Sequence, residues 1–332
     1  MKNNKGQNIP LSILDLVPVL ASSTPADSFR NSLNLAQKAE EFGYKRFWMS
    51  EHHNLEGVAS SATVVLIGYI AAHTKKIRVG SGGIMLPNHA PLVVAEQFGT
   101  LETMYPGRID LGLGRAPGTD PLTSMALRRD IRETVDDFPK NVVELRNYFT
   151  NEHPGRVNAV PGKGLDVPIW LLGSSTFSAQ LAGMLGLPFA FASHFAPGLL
   201  QPALEIYRES FQPSSQLAQP YTMACVNVVA ADTDEEANYL ASSLYAFFLN
   251  VVRGTSFPLN APVDDFDAIW NENEKFAVQQ MLKYNFTGST ATVEKQIKSF
   301  IEQTVVDELM VISNIYDHNA RVRSYEILLQ LN

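Results

Sequence analysis

The 332-residue chain contains one cysteine, Cys225, so no internal disulfide can brace it and no cysteine-based zinc motif exists. Cys225 lies in the β-rich run Tyr221 to Ala230, where it reads as a small buried hydrophobe rather than a redox group. Positive charge is also scarce. Lys and Arg number 26 against 34 Asp and Glu, giving a formal net charge of −8 and a pI near 5.4. An acidic surface repels nucleic acid and anionic membranes, so neither is expected as a partner. A phosphate-bearing small molecule is still compatible, because local N–H groups can outweigh global charge. No apolar run approaches the ~20 residues needed to span a bilayer. The polar start, Met1 to Pro10, lacks the apolar stretch of a signal peptide, and a cytoplasmic location is expected.

Several catalytic signatures are missing as well. There is no H-E-x-x-H and no H-x-H, so no metal site is expected. The G-x-S-x-G nucleophile elbow of α/β-hydrolases is absent. The run Gly112-Leu113-Gly114-Arg115-Ala116-Pro117 fails as a dinucleotide fingerprint, because Pro117 stands where the third glycine belongs.

What the chain does have is alternation. Strand-like runs at 11–16, 47–50, 77–83, 109–114, 169–173, 189–193, 223–230 and 309–313 are each followed by a helical pattern. The helices are expected at 25–42, 62–73, 92–104, 132–149, 178–185, 200–211, 235–252 and 319–329. The first is well punctuated: Thr24 can cap it, Pro25 suits the first turn and Gly43 can end it. Repeated βα units imply a parallel sheet with right-handed crossovers. Eight of them suit a closed (β/α)8 TIM barrel, residues 1–332 forming one domain, better than an open doubly wound sheet. Residues 253–287, with Gly254, Pro258, Pro262 and a helical piece at 274–284, break the rhythm as an insertion before the last unit. Such a segment is either a surface excursion, or a lid or dimer contact.

In such a barrel the active site lies at the C-terminal ends of the strands. Those ends carry Asp15 and Leu16; Ser50, Glu51, His52 and His53; Ser81, Gly82 and Gly83; Arg115 to Gly118; Gly173 to Thr176; and Ser193 and His194. Gly173, Ser174, Ser175 and Ser178 surround a helix start, where free N–H groups and hydroxyls suit a phosphate, although serine caps are common for purely local reasons. Arg115 could fork onto the same phosphate. Histidine exchanges protons near neutral pH, so His52 or His53 could act as general base or hydrogen-bond a ligand; a structural role is the alternative. Ser81, Gly82 and Gly83 leave room for a flat ring or simply allow tight packing. His194, Asn88 and His89 are weaker candidates. Trp48 and Trp170 read as core, and His73 and His153 as surface.

Taken in order, these clusters resemble the bacterial luciferase-like monooxygenases. The resemblance rests on Trp48-Met49-Ser50-Glu51-His52-His53, on the stretch from Ile77 through Pro91 to Glu96, and on Gly186-Leu187-Pro188. Its most recognisable part is Tyr105-Pro106-Gly107-Arg108-Ile109-Asp110 running into Leu111-Gly112-Leu113-Gly114-Arg115. It implies a (β/α)8 barrel that uses reduced FMN and O2 to oxygenate a small organic substrate through a C4a-peroxyflavin; some branches on the same fold are instead F420-dependent oxidoreductases. By match to the motifs, Arg115, Ser175 and Ser178 would hold the flavin phosphate, Ser81 and Gly82 would lie against the ring, and His52 would be catalytic. Gly114 stands where true luciferases carry a reactive cysteine, which argues against light emission. The resemblance further implies a homodimer, and a separate NAD(P)H:flavin reductase as the source of reduced flavin. A flavin-binding protein without turnover and a metal-dependent barrel hydrolase built on Glu51, His52 and His53 are the rival readings.

Overall fold

A computed structural model describes residues 8–116, 119–127, 137–151 and 157–331. In chain order the elements begin β1 (Leu11–Asp15), α1 (Pro25–Phe42), β2 (Arg46–Met49), α2 (Thr63–Ala72), β3 (Arg78–Ser81), β4 (Ile84–Met85), α3 (Pro91–Met104) and β5 (Ile109–Gly114). Next come α4 (Pro121–Leu127), α5 (Phe138–Phe149), β6 (Ile169–Gly173), α6 (Thr176–Met184), β7 (Phe189–Phe191), α7 (Leu200–Ser210) and β8 (Thr222–Ala230). The chain finishes with α8 (Asp234–Val252), α9 (Glu272–Met281), β9 (Asn285–Gly288), α10 (Thr290–Thr304), β10 (Glu308–Ile312) and α11 (His318–Leu329).

Eight parallel strands close a ring in the order β1, β2, β3, β5, β6, β7, β8, β10, with β10 pairing back onto β1. The expected barrel is therefore present. β4 extends the line of β3 and pairs with β5. β9 pairs with Asn227–Ala230, the upper half of β8, after β10 has taken the lower half.

Side chains alternate along each strand, and here both faces are buried. Ile13, Phe47, Val79, Leu111, Leu171, Phe189 and Val311 point outward into the shell of helices. Leu14, Trp48, Trp170, Ala190, Met223, Cys225 and Met310 point into the ring and form a second apolar cluster. α1 shows why the helices start where they do. The Thr24 side chain accepts from the Asp27 N–H and the Asp27 carboxylate accepts from the Thr24 N–H, a capping box that satisfies two otherwise orphaned donors. Gly43 ends the helix at φ 86°, a left-handed conformation that glycine adopts without a Cβ penalty.

Three expectations need adjusting. The helix expected at 132–149 is described only from Phe138, because 128–136 fall outside the described residues. The end of the insertion and the stretch after it are not plain connection: they supply β9 and the amphipathic α10, whose Val293, Ile297, Phe300 and Ile301 fall on one buried face. α4 is a further helix, after β5, outside the expected eight. The insertion itself is seated on the loops that follow β1 and β2. Leu259 exchanges backbone hydrogen bonds with Val19 (2.7 Å) and Ala21 (2.9 Å), and the Phe257 carbonyl sits where a Cβ on Gly57 would be 2.4 Å away. Phe266 and Val278 bury against Leu244 and Phe248 of α8. No helix among the described residues is long and apolar enough to cross a membrane.

Candidate active site

A cavity of about 440 Å³ opens at the C-terminal ends of the barrel strands. That size falls within the range of small-molecule sites. Its floor is the inward-facing cluster. Trp48 donates its indole N–H to Asp110 (3.0 Å) and meets Trp170 edge-on at 5.2 Å. Trp48 is thus both core and cavity floor; Trp170 stays behind it.

Beneath the floor lies a buried ionic layer. The Arg46 guanidinium donates to Glu308 Oε1 and Asp110 Oδ2, both at 2.7 Å, and lies 4.7 Å from the Trp170 ring centroid. Arg78 pairs with Asp110 (2.7 Å), Lys45 pairs with Glu308 (3.1 Å), and the Tyr221 hydroxyl donates to Glu308 (2.8 Å). Burial works against ionising Glu308, yet Arg46 and Lys45 hold its carboxyl below the usual glutamate value. Tyr221, half-buried beside that carboxylate, is pushed in the opposite direction and stays protonated.

At the opposite end, polar groups ring the mouth. Arg115, just past β5, lines the cavity, and its guanidinium lies 4.4 Å over the Phe177 ring. No carboxylate among the described residues pairs with it. Gly173, Ser174, Ser175 and Ser178 line the same wall. Ser175 is the N-cap of α6 in extended conformation, but its side chain makes no capping bond. The first N–H groups of α6 and the neighbouring hydroxyls are therefore uncommitted, at the positive end of a helix dipole. Gly173 is required sterically: a Cβ there would lie 2.5 Å from Ser178 Cβ and 2.6 Å from its Oγ. On the next wall Gly82 and Gly83 are joined by a cis peptide bond and expose bare backbone to the cavity. A Cβ on Gly82 would come 2.7 Å from Leu14 Cδ1.

Ser81 departs from its expected place. It is fully buried and does not line the cavity. Its hydroxyl donates to the Gly112 carbonyl (2.8 Å) and accepts from the Gly112 N–H (3.0 Å), tying β3 to β5. Alternation turns Ser81 away while its neighbour Gly82 faces in. Asp15 is likewise off the cavity, held by Arg321 (2.8 Å) and Ser32, whereas Leu16 lines it.

The Glu51-His52-His53 run is divided by the fold. His52 enters the cavity. Glu51 is buried beside it and accepts from His89 (2.8 Å), His53 (2.9 Å) and the Met85 N–H (3.0 Å). Burial alone would raise its pKa; the His89 and His53 contacts and the Met85 N–H outweigh that and lower it. Glu51 thus fastens the end of β2 to β4 and the turn after it. Among the described residues no three His, Cys, Asp or Glu side chains are arranged to hold a metal ion.

His194, a weaker candidate from sequence, proves to be a full wall residue. It follows β7, which stands opposite β2 in the ring, and it shares the cavity wall with His52. Burial, and secondarily the nearby His52, push its pKa down to about 3, which keeps it neutral at physiological pH. Its Nδ1 is buried without a hydrogen-bond partner. Cys225 is buried as expected, with burial pushing its thiol pKa upward, but it lines the cavity together with Met223 and Met310. His73 is exposed, and His153 lies outside the described residues.

The family model described as luciferase-like monooxygenase matches residues 10–327. The chain belongs to this family. A luciferase-like monooxygenase of Escherichia coli (strain K12) is 50% identical, covering 98% of this chain and 97% of its own. The N-acetyl-S-alkylcysteine monooxygenase of Bacillus subtilis is 40% identical over 69% of this chain and 70% of its own. The crystal structure of apo-MsnO8 superposes with a TM-score of 0.91 at 34% identity, covering 98% of both chains. More distant luciferase-like folds share the architecture alone. One is the oxygenating constituent of 3,6-diketocamphane monooxygenase from Pseudomonas putida in complex with FMN (TM-score 0.75, 18% identity, 97% of that chain and 98% of this one). Another is an F420-dependent secondary alcohol dehydrogenase (TM-score 0.72, 16% identity, 99% of that chain and 98% of this one). Membership in this family makes the chain an oxidoreductase. Within the luciferase-like framework, Gly114 has Met85 Sδ where a Cβ would sit, at 2.7 Å, so a cysteine there would require Met85 to move.

Proposed function

We propose that this protein is a monooxygenase that binds reduced FMN and oxygenates a small organic substrate. The observation that carries the reading is the anion cradle on the cavity rim: the open N-terminus of α6, the hydroxyls of Ser174, Ser175 and Ser178, and Arg115, which pairs with no carboxylate among the described residues. The residues fit FMN at both ends. The cradle suits a terminal phosphate, and the bare Gly82–Gly83 backbone leaves a shelf against which a flat ring can lie. Bound reduced flavin supplies the electrons that activate O2.

The chain's own residues do the rest. Arg115 and the serine turn fix the cofactor at one end and so orient the other. Leu14, Trp48, Met223 and Met310 keep water from the reacting region. His52 reaches the cavity from β2, the strand beside the Gly82–Gly83 shelf, and its imidazole is the group placed to hold or release a proton there. FMN is favoured over F420 because the anchor, one short serine turn and one arginine, is enough for a terminal phosphate. A separate NAD(P)H:flavin reductase would deliver the reduced flavin, since no dinucleotide fingerprint is present in the sequence, and the working form would be a homodimer.

Anaerobic titration with photoreduced FMN, run beside reduced F420, tests this. FMN should bind tightly. Arg115→Gln should weaken it roughly tenfold or more, the worth of one hydrogen bond to a charged group. His52→Ala should still bind flavin but lose oxygenation when O2 and a reductase are supplied. Preference for F420, or an Arg115→Gln variant with unchanged FMN affinity, would overturn the proposal.

A further inference from the structure

The cavity wall is not uniform. Arg115 and the α6 cradle occupy the side built by β5 and β6. The far side is built by β8, β10 and β1, adjacent strands in the closed ring. Among the described residues it presents Leu14, Leu16, Met223, Cys225 and Met310 and no charged or hydroxyl side chain. His194, at its border, is neutral at physiological pH. Among the described residues lining the cavity, Arg115 is the only side chain that carries a permanent charge, and it lies on the cradle side.

From this partition we infer that the β8–β10–β1 sector is the substrate subsite, and that it accepts an uncharged, predominantly apolar molecule and rejects a carboxylate of the same shape. The inference deepens the proposed function, which leaves the substrate open, and it rests on that reading. A carboxylate in this sector would be desolvated with no cation to meet it. An apolar group would instead remove wall and ligand surface from water, and the thioethers of Met223 and Met310 adapt to irregular shapes. Cys225 sets the depth of the sector, because it is a small side chain between larger ones.

The test needs no flavin, so its outcome is separate from that of FMN binding. Apoprotein is titrated with methyl phenyl sulfide and with 4-(methylthio)benzoate, following binding by isothermal titration calorimetry. Both wild type and Arg115→Gln are used, because the arginine could capture the carboxylate at the cradle. In Arg115→Gln the sulfide should keep its wild-type affinity, and the benzoate should bind at least about tenfold more weakly than the sulfide. Cys225→Phe should fill the sector and weaken the sulfide by about tenfold or more. Leu14→Phe serves as a second filler, with circular dichroism confirming that each variant is folded. Equal binding of the two probes in Arg115→Gln, no saturable sulfide binding, or unchanged affinity in the folded fillers would each overturn the inference.

Discussion

Arg46→Met removes the cation at the centre of the buried layer beneath the active-site floor. In the wild type that guanidinium faces two fully buried carboxylates, Asp110 and Glu308, each at 2.7 Å. Removing one partner of a buried pair costs about 3–5 kcal/mol. Lys45 still reaches Glu308 and Arg78 still reaches Asp110, so the low end applies, about 3 kcal/mol. For a chain of this length that is a fall in Tm of about 6 °C at neutral pH, at roughly 2 °C per kcal/mol. The pH dependence gives a sharper test. Wild-type Glu308 has a folded pKa below its ordinary value of 4.5. Its stabilisation is therefore complete above that value and lost as pH falls through the lower folded pKa. Without Arg46, desolvation is no longer offset and the folded pKa moves above the unfolded one. The sign then reverses: the contribution is complete below the unfolded pKa and lost as pH rises through the raised folded pKa. Acidifying from pH 7 towards 5 should thus narrow the Tm gap between variant and wild type, by up to about 1.4 kcal/mol per pH unit for one carboxylate. Scanning calorimetry at several pH values measures it. A gap under about 2 °C at pH 7, or one that widens on acidification, would refute the reasoning.

Two further changes probe the site's framework. Gly173→Ala places a methyl 2.5 Å from Ser178 Cβ, so the start of α6 must shift; affinity for reduced FMN should fall about tenfold or more, with the far-UV circular dichroism unchanged. Glu51→Gln replaces one of the carboxylate oxygens that hold His89, His53 and Met85 with a donor. It should destabilise the protein by about 1–3 kcal/mol at pH 7. The difference should shrink below about pH 4.5, where the wild-type carboxylate, whose pKa is lowered, gives up its contribution; urea titrations at neutral and acid pH would show whether it does.

How much of this was legible depended on whether the signal was local. The α1 boundaries can be read from Thr24, Pro25, Asp27 and Gly43 because capping involves residues three or four apart. The Gly173–Ser178 turn and Arg115 stood out because polar residues ending an apolar run are conspicuous. The ionic layer could not be read, since Arg46 is 64 residues from Asp110 and 262 from Glu308, and each alone looks like a charged residue at a strand start. The floor was hidden for another reason. A parallel barrel buries both faces of its strands, so Ile13 and Leu14 look alike in sequence although one faces the helices and the other the cavity. The same loss of alternation put Ser81 beside Gly82 in the expected site, where a single step along the strand separates a strut from a wall.

That single step also explains why there is a cavity. In small barrels the interior is ordinarily filled by layers of inward side chains. Here the lowest layer is filled by Arg46, Asp110 and Glu308, and the next by Trp48, Trp170, Met223 and Met310. Above them the lining positions on β3 and β5 are Gly82 and Gly114, and those on β7 are Ala190 and Ala192, while β6 brings Leu172 to the cavity beside Gly173. The third layer is therefore thinned to Leu172 on the half of the ring next to the α6 cradle, while the opposite half keeps its larger apolar side chains. The vacancy and the anion cradle share strands. A ligand anchored by a phosphate at α6 would be led by its own geometry over the glycine half, leaving the apolar half for whatever it reacts with. An alanine at Gly114 would press on Met85 and one at Gly173 on Ser178, so substitutions there should disturb the cofactor's half of the cavity before the substrate's half.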